Sequence, residues 1–260
     1  MVEKLDAWVF LGNKSMLMEP PRQTTVVIKT FERPDAVDRL ITSIRTRYPA
    51  VPVVIVDDSR EVNRALLARS AHEPATRYVH VGFDIGVSAG RNHGVRLANT
   101  HYVFTCDDDC FFGQHTDLRR AEELLEEARV DLLGINDSTG FWGLYSVSDG
   151  VVEYHQASRG EVGPVRLVDF VPSQLLAPAR VLRRYHWDES LKIGEHFAYF
   201  YAHLGKIRVG YTEAISVHHE PTRNPLYDTY RGRALDYVRE FMRRQNLRRR
   251  VDLSGEVLEI

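Results

Sequence analysis

Three consecutive carboxylates, Asp107, Asp108 and Asp109, follow directly on the apolar run Tyr102 to Cys106. Like charges side by side repel, so a strand that ends in three of them asks for a cation, a metal ion above all, or a positively charged ligand. The competing reading is an ordinary acidic turn, because Asp also ends strands and caps helices. Polar groups of the same kind recur along the chain. Thr30-Phe31-Glu32-Arg33 and Asp57-Asp58-Ser59 each close an apolar run, Arg91 stands in a Gly-rich segment, and His218-His219 end a later β pattern.

The elements that must carry these groups alternate. Thr25 to Thr30 and Val51 to Val56 are β-branched runs, and between them Val37, Leu40, Ile41, Ile44 and Tyr48 stripe one face of a helix opened by Pro34. The pattern continues with a helix over 61–70, a strand over 78–81, a helix over 88–98, the strand 102–106, a helix through Leu118 to Ala128 and a strand over 131–135. Such alternation predicts an α/β fold with a mainly parallel sheet covered by helices. Ligands of these sheets bind outside the carboxyl ends of the strands, where the polar groups above fall. Beyond residue 140 the pieces shorten: a hairpin around Ser148-Asp149-Gly150, a strand over 165–171, helices over 178–185 and 195–204, and strands over 207–209 and 214–217.

The formal net charge is only -2, so bulk charge does not indicate a nucleic-acid partner. No apolar run reaches the roughly 18 residues of a membrane span, and Glu3, Lys4 and Asp6 do not begin a secretory signal, so a cytoplasmic location is expected. Cys106 and Cys110 flank the acidic triplet and are read as reduced thiols. Residues 228–250 carry eight arginines against three acids, which predicts a helix with a solvated basic face. Peripheral contact with an anionic membrane, or a homodimer, is the alternative use of that face. The expected division is an arm over 1–23, a main domain over 24–225 with halves at 24–136 and 137–225, and a basic helix and tail over 226–260.

Four segments taken in order resemble the family 2 glycosyltransferases, whose nucleotide-diphospho-sugar transferase fold is called GT-A. They are Val26 to Pro34, Val54 to Ser59, Gly86-Val87-Ser88-Ala89-Gly90-Arg91-Asn92-His93-Gly94, and Cys106-Asp107-Asp108-Asp109, the last similar to an Asp-x-Asp motif. The wording of the first three is similar to N-acetylgalactosaminyltransferases of ganglioside synthesis and their bacterial relatives. The resemblance implies a UDP-sugar donor, a carbohydrate or glycoconjugate acceptor, and Mn2+ or Mg2+. It places Thr30, Glu32, Arg33, Asp57, Asp58, Arg91, Asp107 and Asp108 at the nucleotide-sugar, with Asp57 accepting from the uracil N3–H. Asp109 and Asp107 become metal ligands with His219 or His218, and strand alternation favours His219.

The reaction so implied is inverting transfer, in which a carboxylate removes the proton of the attacking acceptor hydroxyl. Where the family carries a later acidic pair, this chain has Glu195-His196-Phe197-Ala198, leaving Glu195 as the candidate base and His196 as the alternative. Trp142, with Phe141 and Tyr145, is a candidate sugar-stacking group, and Asp169, Ser173 and Gln174 are candidate acceptor contacts. Two other functions compete. A non-catalytic nucleotide- or carbohydrate-binding module fits the missing acidic pair. A sugar-phosphate nucleotidyltransferase ranks lower, because the turn after the first strand has no glycine.

Overall fold

The structure is a computed structural model that describes residues 18–73, 75–222 and 225–260. Most of the expected arm, residues 1–17, lies outside them. The first half runs β1 (Thr24–Thr30), α1 (Pro34–Arg47), β2 (Val53–Asp57), α2 (Arg64–His72), β3 (Thr76–His80), α3 (Val87–Leu97), β4 (Tyr102–Asp107), β5 (Cys110–Phe111), α4 (Leu118–Ala128) and β6 (Leu132–Asn136). The second runs β7 (Leu144–Ser148), β8 (Val151–His155), β9 (Glu161–Val162), β10 (Val165–Val168), β11 (Leu175–Pro178), α5 (Ala179–Arg184), α6 (Glu195–Ala202), β12 (Val209–Ser216), β13 (His218–His219), α7 (Pro225–Arg231), α8 (Ala234–Arg244), β14 (Arg249–Val251) and β15 (Val257–Glu259).

Nine strands form one sheet in the order β3-β2-β1-β4-β11-β6-β12-β10-β9. The β3-β2-β1-β4 block and the β6-β12 pair are parallel, while β11 is antiparallel to both its neighbours. Side-chain alternation splits each central strand between two cores. In β1, Val26 and Ile28 pack with the α1 and α4 residues Leu40, Ile44 and Leu124, whereas Val27 joins Val95, Phe197 and Phe241 on the other face.

Register sets the rim. Thr30 pairs with Asp57, and Lys29 pairs with Asp107, so the carboxyl ends of β1, β2 and β4 finish level. Next to β4 in the sheet is β11, whose antiparallel run brings the residues just before it, 172–174, to the same edge, with the end of β6 at Asn136 beyond.

Three expectations change. The strands anticipated at 207–209 and 214–217 are one strand, β12, with an irregularity between Thr212 and Ser216. The tail is two helices rather than one, broken around Gly232, and its buried side is Val238, Phe241 and Met242, leaving Tyr230 and Tyr237 to face elsewhere. The tail also does not stand apart: β14 pairs with β8 in a four-stranded sheet that includes the expected 144–155 hairpin. Among the described residues, no helix is long and apolar enough to cross a membrane.

Candidate active site

A cleft of about 460 Å3 opens along the carboxyl ends of the sheet, roofed by α7 and the start of α8. The floor at its first end is charged and internally paired. Lys29 Nζ lies 2.6 Å from Asp58 Oδ1, and the Gly86 amide donates to Asp58 Oδ2 at 2.9 Å. Arg33 donates to both Asp108 and Asp109, the latter at 2.7 Å, while Thr30 Oγ1 donates to Asp108 Oδ2 at 2.6 Å. Burial pushes the Asp108 carboxyl up to about 6. Burial also acts to raise Asp109, but the His219 hydrogen bond and Arg33 outweigh it and hold this carboxyl below its usual range.

Arg91 joins the two sides of the site. Its Nη2 donates to Asp107 Oδ1 at 2.7 Å and its Nη1 to Glu195 Oε1 at 2.5 Å. Burial disfavours its charge, yet the two carboxylates more than offset this and keep the guanidinium charged. The segment around Arg91 explains how Glu195 is positioned. Ser88 Oγ donates to the Leu191 carbonyl at 2.6 Å, and Asn92 exchanges two hydrogen bonds with the backbone of Trp187, at 2.8 and 3.0 Å. Gly86 has φ +93, and a Cβ there would lie 2.5 Å from Lys192 Cα, so only glycine lets loop 187–194 dock this closely. Glu195 then opens α6 behind Gly194, which has φ +74.

The two histidines separate as alternation requires. The β5–β13 pairing sets His219 opposite Cys110, with Nε2 3.4 Å from Asp109 Oδ1 and its pKa raised by that carboxylate. His218 turns outward and stacks on Phe111 at 4.6 Å. His196 lies in the cleft, its Nε2 2.5 Å from the Val171 carbonyl and its Nδ1 3.4 Å from Ser173 Oγ, and burial lowers its pKa. With both nitrogens engaged, it is a weaker candidate base than Glu195. Phe197 and Ala198 are buried in the core.

Several expected contacts lie off the cleft. Asp57 accepts from Tyr78 Oη at 2.7 Å and from the Ser59 amide at 2.9 Å, so its carboxylate serves the β2–β3 edge rather than a uracil, and Asp58 is the one that faces the cleft. Thr30 and Asp108 lie beneath the floor, and Glu32, at φ 55, turns to the Arg60 amide. Trp142 stacks on Tyr211 at 5.2 Å under Arg166, and Asp169 is tied to Arg159 and the Tyr145 amide, so neither reaches the cleft. Ser173, Gln174 and Phe141 do line it.

The structure adds groups that motif reading missed. Asp84 and Lys192 pair at 2.8 Å at the mouth, and Asp137 and Thr139 extend the floor from β6. From the roof come Tyr227, Tyr230, Arg231, Arg233 and Tyr237. Tyr230 packs edge-on against Phe31 at 5.0 Å, and Arg33 lies 4.1 Å from the Tyr227 ring centre. Arg231 and Arg233 bond to the Tyr227 and Tyr237 hydroxyls, and no carboxylate among the described residues is within ion-pair reach of either. The run Arg231-Gly232-Arg233 is the sequence cue for them, and an arginine-rich run also describes any solvated helix.

The same geometry tests a metal. Asp107, Asp109 and His219 are hard oxygen and imidazole donors on one wall, a set whose chemistry suits Mn2+ or Mg2+. Among the described residues no three His, Cys, Asp or Glu side chains converge into a metal-holding group, and Arg33 and Arg91 are the counter-ions of the two carboxylates.

Comparison with known proteins agrees with this architecture. The human β-1,4 N-acetylgalactosaminyltransferase 1 is 34% identical over 211 residues, which is 75% of this chain but 38% of that protein. The mouse β-1,4 N-acetylgalactosaminyltransferase 2 is 30% identical over 227 residues, 80% of this chain and 43% of that protein. The chain thus spans about two-fifths of the length of these relatives. Among solved structures, S. aureus TarS residues 1–349 in complex with UDP-GlcNAc superposes with a TM-score of 0.60 at 14% identity, covering 84% of this chain and 65% of that one. This likeness identifies the α/β architecture as the GT-A fold expected from the sequence. The profile of glycosyl transferase family 2 matches residues 25–169, more than half of the sequence, and the chain belongs to that family.

Proposed function

We propose that the cleft binds a UDP-sugar and transfers its sugar, with inversion, to a hydroxyl of a carbohydrate acceptor. The observation that carries this reading is the Arg91 bridge: one guanidinium holds both Asp107, at the nucleotide side, and Glu195, the candidate base. In the reaction the acceptor oxygen bonds to the anomeric carbon as the bond to the departing diphosphate breaks, and Glu195 takes the hydroxyl proton. Lys29, Asp58 and Phe31 bind at the nucleoside end, while Arg231 and Arg233 offer charge to the diphosphate from the roof. The named relatives favour an N-acetylhexosamine as the transferred sugar.

Mn2+ or Mg2+ belongs to the same proposal: Asp109, Asp107 and His219 would hold it once Arg33 and Arg91 give up the two carboxylates, with which they are paired in this structure. Bound there, the ion would supply positive charge to the leaving diphosphate.

The test is UDP release from UDP-GalNAc and UDP-GlcNAc over a panel of carbohydrate acceptors, with and without Mn2+ after chelation. Acceptor-dependent UDP release that disappears on chelation and returns with Mn2+ is the expected result. UDP binding with no transfer to any acceptor, in wild type and Glu195→Gln alike, would point instead to a non-catalytic binding module. Release that survives chelation would remove the metal and leave the rest.

A further inference from the structure

Among the described residues, every carboxylate lining the cleft has a cation within ion-pair distance except one. Asp58 has Lys29, Asp84 has Lys192, Asp107 and Glu195 share Arg91, and Asp109 has Arg33. Asp137 has none among the described residues. It is only 5% exposed, so it is not solvated as a surface acid would be. Its Oδ1 accepts from the Thr139 amide at 3.0 Å and from Thr139 Oγ1 at 2.5 Å, and its Oδ2 takes no hydrogen bond from the described residues. Oδ2 is not among the fully buried unpartnered atoms, so it opens on the cleft, where the donor of a ligand can meet it.

Its place says which part of a ligand that is. Asp137 follows β6, two strands beyond β4 in the order β4-β11-β6, and neighbouring strands lie about 4.8 Å apart, so it sits about 10 Å along the rim from the Asp107 end. That is the reach of a sugar attached to a diphosphate held over β4. Beside it, the Ile135 amide donates to the Gln174 carbonyl, which brings Gln174 to the same rim. The Gln174 side chain is 1% exposed, its Nε2 is spent on Cys110 Sγ, and its Oε1 has no partner. Gln174 Oε1 is itself closed off from solvent, so the acceptor that this stretch of the cleft presents is Asp137 Oδ2, a match for a neutral group rich in O–H donors.

We propose that Asp137 receives a hydroxyl of the transferred sugar through Oδ2, with Thr139 holding the carboxylate in place, making Asp137 a donor-recognition residue. The inference rests on the UDP-sugar reading above. Calorimetry of UDP, UDP-GalNAc and UDP-GlcNAc against wild type and Asp137→Asn tests it, with melting temperature to show that the variant folds. UDP affinity should stay within about twofold, while affinity for the preferred UDP-sugar should fall roughly tenfold or more, as loss of a charge-assisted hydrogen bond predicts. Equal losses for UDP and UDP-sugar, or no loss in either, would overturn the assignment. So would an unchanged UDP-sugar affinity with slower turnover, which would make Asp137 a proton-transfer group. If Asp137→Asn does not fold, Thr139→Val serves instead, with a loss of about threefold expected for the UDP-sugar alone; equal effects on both ligands would again refute the idea. Absence of UDP binding in wild type would instead defeat the donor reading itself.

Discussion

At the ends of β1, β2 and β4, the carboxylates that line the cleft are held by cations of the protein; two strands further on, Asp137 is held only by Thr139 and has no cation among the described residues. The first region is neutralised internally, so its geometry is set by ion pairs before any ligand arrives. The second leaves an acceptor, Asp137 Oδ2, for the ligand to fill. The contrast follows from what each would bind. A diphosphate brings charge, which a preorganised array of paired and unpaired guanidiniums can meet, whereas a sugar brings only neutral donors.

The largest effect should come from breaking the joint between the regions. Arg91→Met strands Asp107 and Glu195 without a counter-ion, and removing one partner of a buried pair costs about 3–5 kcal/mol of stability. Denaturant unfolding should register that loss together with loss of transfer; a variant of near-native stability would mean that the bridge does not organise the site. Next, Glu195→Gln should lower turnover by roughly 100- to 10,000-fold, as removal of a general base does, with UDP affinity held within about twofold. If turnover survives, the base lies elsewhere on the rim.

Replacing Arg231 and Arg233 together by Ala should weaken UDP binding by about tenfold and flatten its salt dependence, since these roof cations face the cleft without carboxylate partners among the described residues. Titration of UDP at two ionic strengths reads both. The smallest effect on binding is expected from Asp57→Asn. Its oxygens serve Tyr78 and Ser59, so UDP affinity should change by less than about threefold while stability falls by about 1–2 kcal/mol. A large binding loss would return Asp57 to the nucleotide site.

Much of the nucleotide half was legible because its chemistry lies in short contiguous segments. The β-branched runs before Thr30, Asp57 and Asp107 are strands, the Gly86 to Gly94 segment enters a helix carrying Arg91, and His219 rather than His218 faces inward. Less was legible in the second half. Asp137 sits in Asn136-Asp137-Ser138, indistinguishable from a turn, and Trp142 looked like a sugar platform until Tyr211 was seen to cover it. The single helix expected over the tail is two because nothing in the sequence marks the break near Gly232 as a change of direction.

Which segments become strands, and that polar groups stand at their ends, follows from local pattern, since β-branched runs and helical stripes are short-range and strongly periodic. Four segments in fixed order likewise carry the family. Which of two adjacent carboxylates faces the cleft came from the packed fold. Asp57 and Asp58 differ by one position, and in an extended chain one position is the difference between opposite faces. The packed fold likewise decided that Asp137 and Gln174 are neighbours, because β11 runs antiparallel between β4 and β6 and brings together residues that no spacing along the chain relates.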